Sequence, residues 1–159
     1  VGYNQLAWKL RSDDRVVVME KTNARYLEVN DIAEQGDIGV VDVAFISLTK
    51  ILPALQKLLK DDSEIVTLIK PQFEAGPDKV GNNGVVKDPA IHKEVINKIL
   101  DFAVKQGLTP EQLSYSPITG GKGHNIEYLA YFKCGVNDEE EKFQQEIKQV
   151  IKEAHNSLQ

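Results

Sequence analysis

The sequence lacks features that would point to several classes of protein: paired cysteines, long apolar runs and an excess of positive charge. Cys134 is the only cysteine among 159 residues, which excludes an internal disulfide and a cysteine-based zinc cluster. No apolar run approaches the roughly 18 residues that a membrane-spanning helix needs, and the longest, residues 38–48, is interrupted by Asp42. We therefore expect a cytoplasmic protein with no membrane association, and we expect no metal site.

The charge balance is acidic, because 24 Asp and Glu residues against 19 Lys and Arg residues give a net charge of −5. A protein that grips nucleic acid through its phosphates usually carries a basic face. We therefore expect this chain to be a poor RNA binder by itself. If its substrate is RNA, part of the binding affinity must come from residues outside this chain.

Apolar runs alternate with helical patterns along the chain, which predicts one α/β domain with a mostly parallel sheet. The runs IGVVDV and IVTLI are continuous, as is typical of strands buried on both faces. A helix is predicted to begin at Pro89 after the N-cap Asp88 and to stop before Gly107. The other predicted strands are 16–19, 113–116 and 126–132, and the other predicted helices are 1–11, 50–59 and 138–157.

The stretch 71–87 (PQFEAGPDKVGNNGVVK) has no periodicity and follows directly on a predicted buried strand. Open α/β sheets place their ligands at the carboxyl ends of their strands, and a loop this long inside a compact domain is usually functional or disordered. We expect residues 76–87 to be mobile when no ligand is bound.

Three charged residues lie at or within predicted strands. Asp42 ends one apolar run, Lys70 ends the next, and Glu127 interrupts a third. They form either a buried ion-pair network with a structural role or a converging functional site. Buried ion pairs are weakly explained by stability alone, since apolar residues can often replace them.

A site of this kind would suit a hydroxyl group that must become a nucleophile. A lysine is protonated at neutral pH and is a poor base unless its surroundings disfavour the charge. Asp42 and Glu127, if ionised and close to Lys70, would instead favour the charged ammonium. The mechanism therefore calls for a second cation, which the residue pattern alone does not place.

Five blocks of sequence together resemble the TlyA-type family, bacterial proteins often labelled haemolysins that are similar to FtsJ-type RNA ribose methyltransferases. The blocks are VGYNQLAWKLR at the start, VVDVAFISL, LIKPQFEAG, GVVKDPAIH and SPITGGKGHNIEYL. They occur in order over residues 1–132, about four-fifths of the chain. Each block is moderately specific, whereas five in register are highly specific.

The resemblance implies a Rossmann-like methyltransferase sheet, S-adenosylmethionine as the methyl donor and a catalytic Lys–Asp–Lys–Glu tetrad. Asp42, Lys70 and Glu127 match the last three members of that tetrad. The first Lys lies upstream in the family and has no counterpart here, and it would be the second cation that the mechanism calls for. The implied substrates are cytidine 2′-hydroxyls of 16S and 23S rRNA, so ribosomal RNA or ribosomal subunits are the expected partners.

The resemblance also implies parts of the family that this chain does not contain. We expect residues 1–159 to be a partial methyltransferase domain, without the first strand, part of the second, the glycine turn for the donor and an N-terminal S4-like RNA-binding domain. Gly120, Gly121 and Gly123 come too late to be that turn and are expected to shape the loop that delivers Glu127. The chain alone is expected to be inactive and to bind S-adenosylmethionine negligibly.

Asn23 and Ala24 follow a predicted strand where the family would place the adenine of the donor. With Asp42 they are the candidate cofactor residues, although Asn23 could equally be a turn-forming residue. The histidines carry no predicted chemistry. His92 is expected to face solvent in the first turn of its helix, and His124 is expected to be a loop residue that could touch an RNA phosphate.

Two other functions remain open. A membrane-active protein would fit the label haemolysin, but the sequence has no spanning segment and its last helix is acid-rich rather than basic. A non-catalytic RNA-binding module would need no retained set of Asp42, Lys70 and Glu127. Methyl transfer to a ribose 2′-hydroxyl is therefore the leading hypothesis.

Overall fold

The structure is a computed structural model that describes residues 3–121, 124–135 and 140–158, without the side chains of 140–142. Gly123 therefore lies outside the described residues. In chain order the elements are the one-turn helix α1 (Trp8–Arg11), β1 (Gly36–Val41), α2 (Leu52–Lys57), β2 (Leu59–Ile69), the one-turn helix α3 (Pro71–Glu74), α4 (Pro89–Lys105), β3 (Leu108–Tyr115), β4 (Tyr128–Cys134) and α5 (Glu140–Leu158).

The four strands form one sheet in the order β1-β2-β4-β3. β1 and β2 are parallel, whereas β4 is antiparallel to both of its neighbours. Three strands run in one direction and β4 runs between two of them in the opposite direction. The described sheet is therefore mixed, with one parallel and two antiparallel pairs, rather than mostly parallel as expected. As a result, the amino end of β4 lies at the carboxyl edge of β2, where Tyr128 pairs with Ile69.

One face of the sheet carries the hydrophobic core, against which α2, α4 and α5 pack. The predicted ends of α4 are confirmed: the Asp88 side chain accepts a hydrogen bond from the Ala90 amide at 2.8 Å, and Gly107 takes a positive φ of 79° just beyond the helix. Ile96 and Ile99 of α4 are fully buried. The N-cap and the apolar stripe of α4 thus fix its position over the sheet.

The opposite face of the sheet is open in the part of the chain that the structure describes. Ile38 is 60% exposed and Val40 is 75% exposed, although Val41, which points the other way, is buried. The expectation that IGVVDV is buried on both faces is therefore met on one face only, because no described residue packs against the face that carries Ile38 and Val40.

Two sequence predictions near the start of the chain are wrong. Residues 16–19 form no strand, and the predicted helix over 1–11 is reduced to α1, whose Trp8 is 77% exposed. A strand needs a hydrogen-bonded neighbour and a short helix needs a packed face. The described residues provide neither at this place.

The helix predicted from Lys50 begins slightly later, at Leu52, after the 3₁₀ turn Leu48–Lys50, with Pro53 in its first turn. β2 is longer than the predicted 65–69. In the described ranges, every helix is too short or too polar to cross a bilayer.

We expect the 159-residue chain in isolation to self-associate through β1, because an exposed edge strand with apolar side chains pairs readily with another chain. Sedimentation velocity over a range of concentrations would measure this. Val40→Lys places a charge on the open face and should shift the chain towards monomer, whereas Val17→Lys, at a site 82% exposed outside the sheet, should not. A monomer at all concentrations would contradict this expectation.

Candidate active site

Asp42, Lys70 and Glu127 converge at one edge of the sheet, as the sequence predicts. The Lys70 Nζ atom lies 2.6 Å from Asp42 Oδ1 and 4.0 Å from Glu127 Oε1. Asp42 and Lys70 directly follow the parallel strands β1 and β2, and Glu127 directly precedes the antiparallel strand β4. The direction of β4 is what brings the third residue to the same edge.

The site is open at one end and closed at the other. The side chain of Asp42 is 68% exposed, that of Lys70 is 15% exposed and that of Glu127 is 8% exposed. A substrate group can therefore approach from the Asp42 side and meet the Lys70 ammonium, with Glu127 behind it. An ammonium held between two carboxylates can direct a hydrogen bond to an incoming oxygen atom.

The carboxylate of Glu127 occupies a space shaped for it. A Cβ atom on Gly120 would lie 2.1 Å from Glu127 Oε1, so any larger residue there would displace the carboxylate. Gly120 and Asn125 form an isolated antiparallel bridge, and Gly121 takes a positive φ of 64° in the turn between them. This geometry agrees with the expectation that these glycines shape the loop that delivers Glu127.

Glu74 is a buried acidic residue that the sequence analysis missed. Its Oε1 accepts a hydrogen bond from the Leu48 amide at 2.7 Å, and its Oε2 accepts one from Ser47 Oγ at 2.7 Å. Lys98 Nζ donates to Oε2 at 3.0 Å. Glu74 thus ties the segment that follows Asp42 to α3 and α4, and its role is to hold the site together.

The structure corrects the expectation that His92 faces solvent, because its side chain is fully buried. The ring Nε2 lies 2.8 Å from the carbonyl oxygen of Val86, and Nδ1 lies 2.7 Å from Tyr128 Oη. A carbonyl oxygen only accepts, so Nε2 carries the proton and Nδ1 accepts from the Tyr128 hydroxyl. His155 Nε2 also approaches Nδ1, at 3.2 Å.

A signal for the burial of His92 was present in the sequence. His92, Ile96, Ile99 and Ala103 follow one another at helical spacing and all lie on the buried face of α4. Because Tyr128 is the residue next to Glu127, the His92 side chain supports the strand that carries the site.

The long loop before α4 is anchored at its far end. Asn125 Oδ1 accepts a hydrogen bond from the Val86 amide at 3.1 Å, and Asn125 Nδ2 donates to the Gly84 carbonyl at 2.9 Å. Val86 is buried, so this part of the loop is packed against the domain, and the mobility expected for residues 76–87 stays a prediction. His124 is exposed, with Nδ1 3.2 Å from Thr119 Oγ1.

The three candidate cofactor residues line one cleft of about 610 Å³ at the carboxyl end of β1. Asn23, Ala24 and Asp42 share this cleft with the residues that follow Asp42. Asn23 Oδ1 also accepts a hydrogen bond from the Arg25 amide at 3.2 Å, so Asn23 does form a turn, as the alternative interpretation expected. The volume lies within the range of about 300–1,000 Å³ that is usual for small-molecule sites.

The sequence profile of a family described as FtsJ-like methyltransferase matches residues 1–134 of this chain. The chain belongs to the FtsJ-like methyltransferase family. Proteins of this family use S-adenosylmethionine in general, which fits a cleft beside the Asp42–Lys70–Glu127 cluster. The fold class expected from the sequence is thereby confirmed.

Three relatives illustrate the similarity. A Bacillus subtilis protein named "Putative rRNA methyltransferase YqxC" is 47% identical over 99% of this chain and 57% of its own length. The "16S/23S rRNA (cytidine-2′-O)-methyltransferase TlyA" of Mycobacterium tuberculosis is 44% identical over 84% of this chain and 49% of its own length. A solved structure titled "Putative hemolysin from Streptococcus thermophilus" matches 98% of this chain and 56% of its own, with 44% identity and a TM-score of 0.90. The chain therefore spans about half the length of these relatives.

We expect the stability of the chain to fall as the pH drops below the ordinary histidine pKa of about 6.5. Burial, and to a lesser degree the nearby His155, lowers the pKa of His92, while the Val86 carbonyl and Asp88 partly oppose this. Unfolding therefore releases His92 to take up a proton at low pH, which favours the unfolded state.

The measurement is the free energy of unfolding in urea between pH 5 and pH 8. His92→Gln should flatten the dependence on pH, because the titrating group is removed. His124→Gln, at an exposed histidine, should leave it unchanged. An equal slope for wild type and His92→Gln would contradict the assignment.

Proposed function

We propose that this chain is the catalytic part of an rRNA ribose 2′-O-methyltransferase that methylates cytidine with S-adenosylmethionine. The observation that supports the proposal most strongly is the Lys70 Nζ atom, 2.6 Å from Asp42 and 4.0 Å from Glu127, where Asp42 also lines a cleft of about 610 Å³. Membership of the FtsJ-like family and the activity named for the Mycobacterium tuberculosis relative support it.

In this mechanism Lys70 orients the reacting oxygen. In the proposal Lys70 Nζ, held by Asp42 at 2.6 Å, donates a hydrogen bond to the ribose 2′-oxygen rather than removing its proton. Asp42 and Glu127 fix the position of that ammonium. When bound, the donor would supply a methyl group to the 2′-oxygen as the bond from that carbon to sulfur breaks, and the hydroxyl proton would pass to solvent water on the open Asp42 side.

The donor supplies a methyl group already activated by its sulfonium, so the protein contributes mainly position. In the proposal Asn23 and Ala24 contact the adenine, and Asp42 contributes its carboxylate to the same cleft. An exposed carboxylate beside the cleft suits a cationic sulfonium. The residues present therefore fit part of the site for the donor.

The substrate and the location follow from the same proposal. Ribosomal RNA, free or within ribosomal subunits, is the partner, and the cytoplasm is where it would be met. The net charge of −5 is unfavourable for binding phosphates. We therefore propose that residues 1–159 form a partial domain, and that an S4-like domain elsewhere in the natural protein supplies much of the grip on RNA.

Lys70→Ala in the full natural protein should reduce rRNA methylation by at least roughly 100-fold, which is the usual scale for losing a preorganised hydrogen-bond donor at the reacting oxygen. Donor binding should change little. Radiolabelled methyl transfer to ribosomal RNA measures the rate, and titration calorimetry measures donor binding.

The matched control is Lys60→Ala. Lys60 makes the same type of ion pair, with Asp37, on the same two strands but away from the site. Its loss should leave methylation nearly unchanged. Normal activity of Lys70→Ala would remove Lys70 from the mechanism.

We also expect the 159-residue chain alone to bind S-adenosylmethionine with a dissociation constant weaker than about 1 mM, which corresponds to about −4 kcal/mol. In this cleft Asn23 and Asp42 supply one amide and one carboxylate for the donor, whereas the glycine turn that the resemblance implies for the family is not among residues 1–159, so binding should be weak. Titration calorimetry on the isolated chain decides this. Micromolar binding would show that these residues hold the complete donor site.

A further inference from the structure

Gln72 makes a contact at the site that neither the tetrad nor the core explains. It lies in α3, two residues after Lys70, and its Nε2 donates a hydrogen bond to Glu127 Oε1 at 2.8 Å. Its own Oε1 is buried and has no hydrogen-bond partner among the described residues. Buried polar atoms without a partner are rare in folded proteins and call for an explanation.

The orientation of this amide is fixed by chemistry. If the amide were turned over, its oxygen would face the Glu127 carboxylate oxygen at 2.8 Å, and two acceptors would repel each other. The NH₂ group must therefore face Glu127. The oxygen is left buried without a partner as a consequence, so the fold gives up one hydrogen bond to keep the other.

The contact matters because little else holds the Glu127 carboxylate. Lys70 Nζ, at 4.0 Å, is outside hydrogen-bond distance. Gly120 leaves room for the carboxylate but donates no hydrogen bond to it. Of the described side chains, Gln72 is the one that donates a hydrogen bond to this group.

We infer that Gln72 is a positioning residue that holds Glu127 in the orientation needed beside Lys70. The inference rests on the proposed function, since it assigns Gln72 a role in that reaction. Gln72 acts through Glu127. Its loss should let the carboxylate rotate away from Lys70, so that the ammonium is no longer fixed between two carboxylates.

Gln72→Met tests this in the full natural protein. Methionine has a similar length and removes both the N–H donor and the unpartnered oxygen. We expect kcat to fall about 10- to 100-fold, the scale of a small misplacement of reacting groups. KM for RNA and for the donor should stay within about twofold, and the melting temperature should be unchanged or higher.

Gln72→Glu gives a second readout that a merely structural role would not produce. At neutral pH the two carboxylates repel each other, and the contact is lost. At lower pH the pair can share one proton, and the protonated carboxyl can donate to the other. The ratio of variant to wild-type activity should therefore rise as the pH falls.

Gln56→Met is the matched control, because the Gln56 side chain donates to the Gln106 carbonyl far from the site.

Full kcat in Gln72→Met with a loss in Lys70→Ala would overturn the inference and leave the proposed function standing. Full activity in both variants would instead overturn the proposed function. A parallel fall of kcat and melting temperature, without recovery of Gln72→Glu at low pH, would show a structural role and also overturn the inference.

Discussion

The antiparallel pairing of β4 with β2 is the constraint on which the site depends. In this register Ile69 faces Tyr128, so Lys70 and Glu127, the next residue on each side, come together where the two strands meet the loops. Side chains alternate between the faces of a sheet, and a slip of one residue would therefore turn Glu127 away from Lys70. The His92–Tyr128 hydrogen bond and the Gly120–Asn125 bridge both act on this end of β4 and hold it in register.

The arrangement around Glu127 costs stability. Its carboxylate is nearly buried, the lysine closest to it lies 4.0 Å away, and the amide that does bind it leaves an oxygen without a partner. Burial of polar and charged groups that are incompletely paired is unfavourable, and apolar replacements are often as stable. The stability of the fold alone does not explain a cluster with these properties, which agrees with the role proposed for it.

Features set by residues close together in the sequence, such as helix ends, could be predicted. Features that depend on contacts with residues far away in the sequence could not. The ends of α4 follow from Asp88, Pro89 and Gly107. The convergence of Asp42, Lys70 and Glu127 follows from charges that end or interrupt apolar runs, and their catalytic role stays a prediction. The strand expected at 16–19 failed because pairing needs a partner that the described residues do not supply. Burial of His92 was signalled by its spacing, but a histidine can occupy either face of a helix. The role of Glu74 depends on a contact with Leu48, 26 residues away, which no local pattern predicts.

Several surface lysines of this chain pair with carboxylates, which affects how well they could bind the phosphates of RNA. Lys60 pairs with Asp37, Lys57 with Glu28 and Lys79 with Glu94, all at the surface. A phosphate that binds one of these lysines must first displace a carboxylate, which reduces the gain from each contact. Lys70 is likewise held by Asp42. These pairs limit what the lysines concerned can contribute to phosphate binding, which agrees with the proposal that another part of the natural protein supplies much of the affinity for RNA.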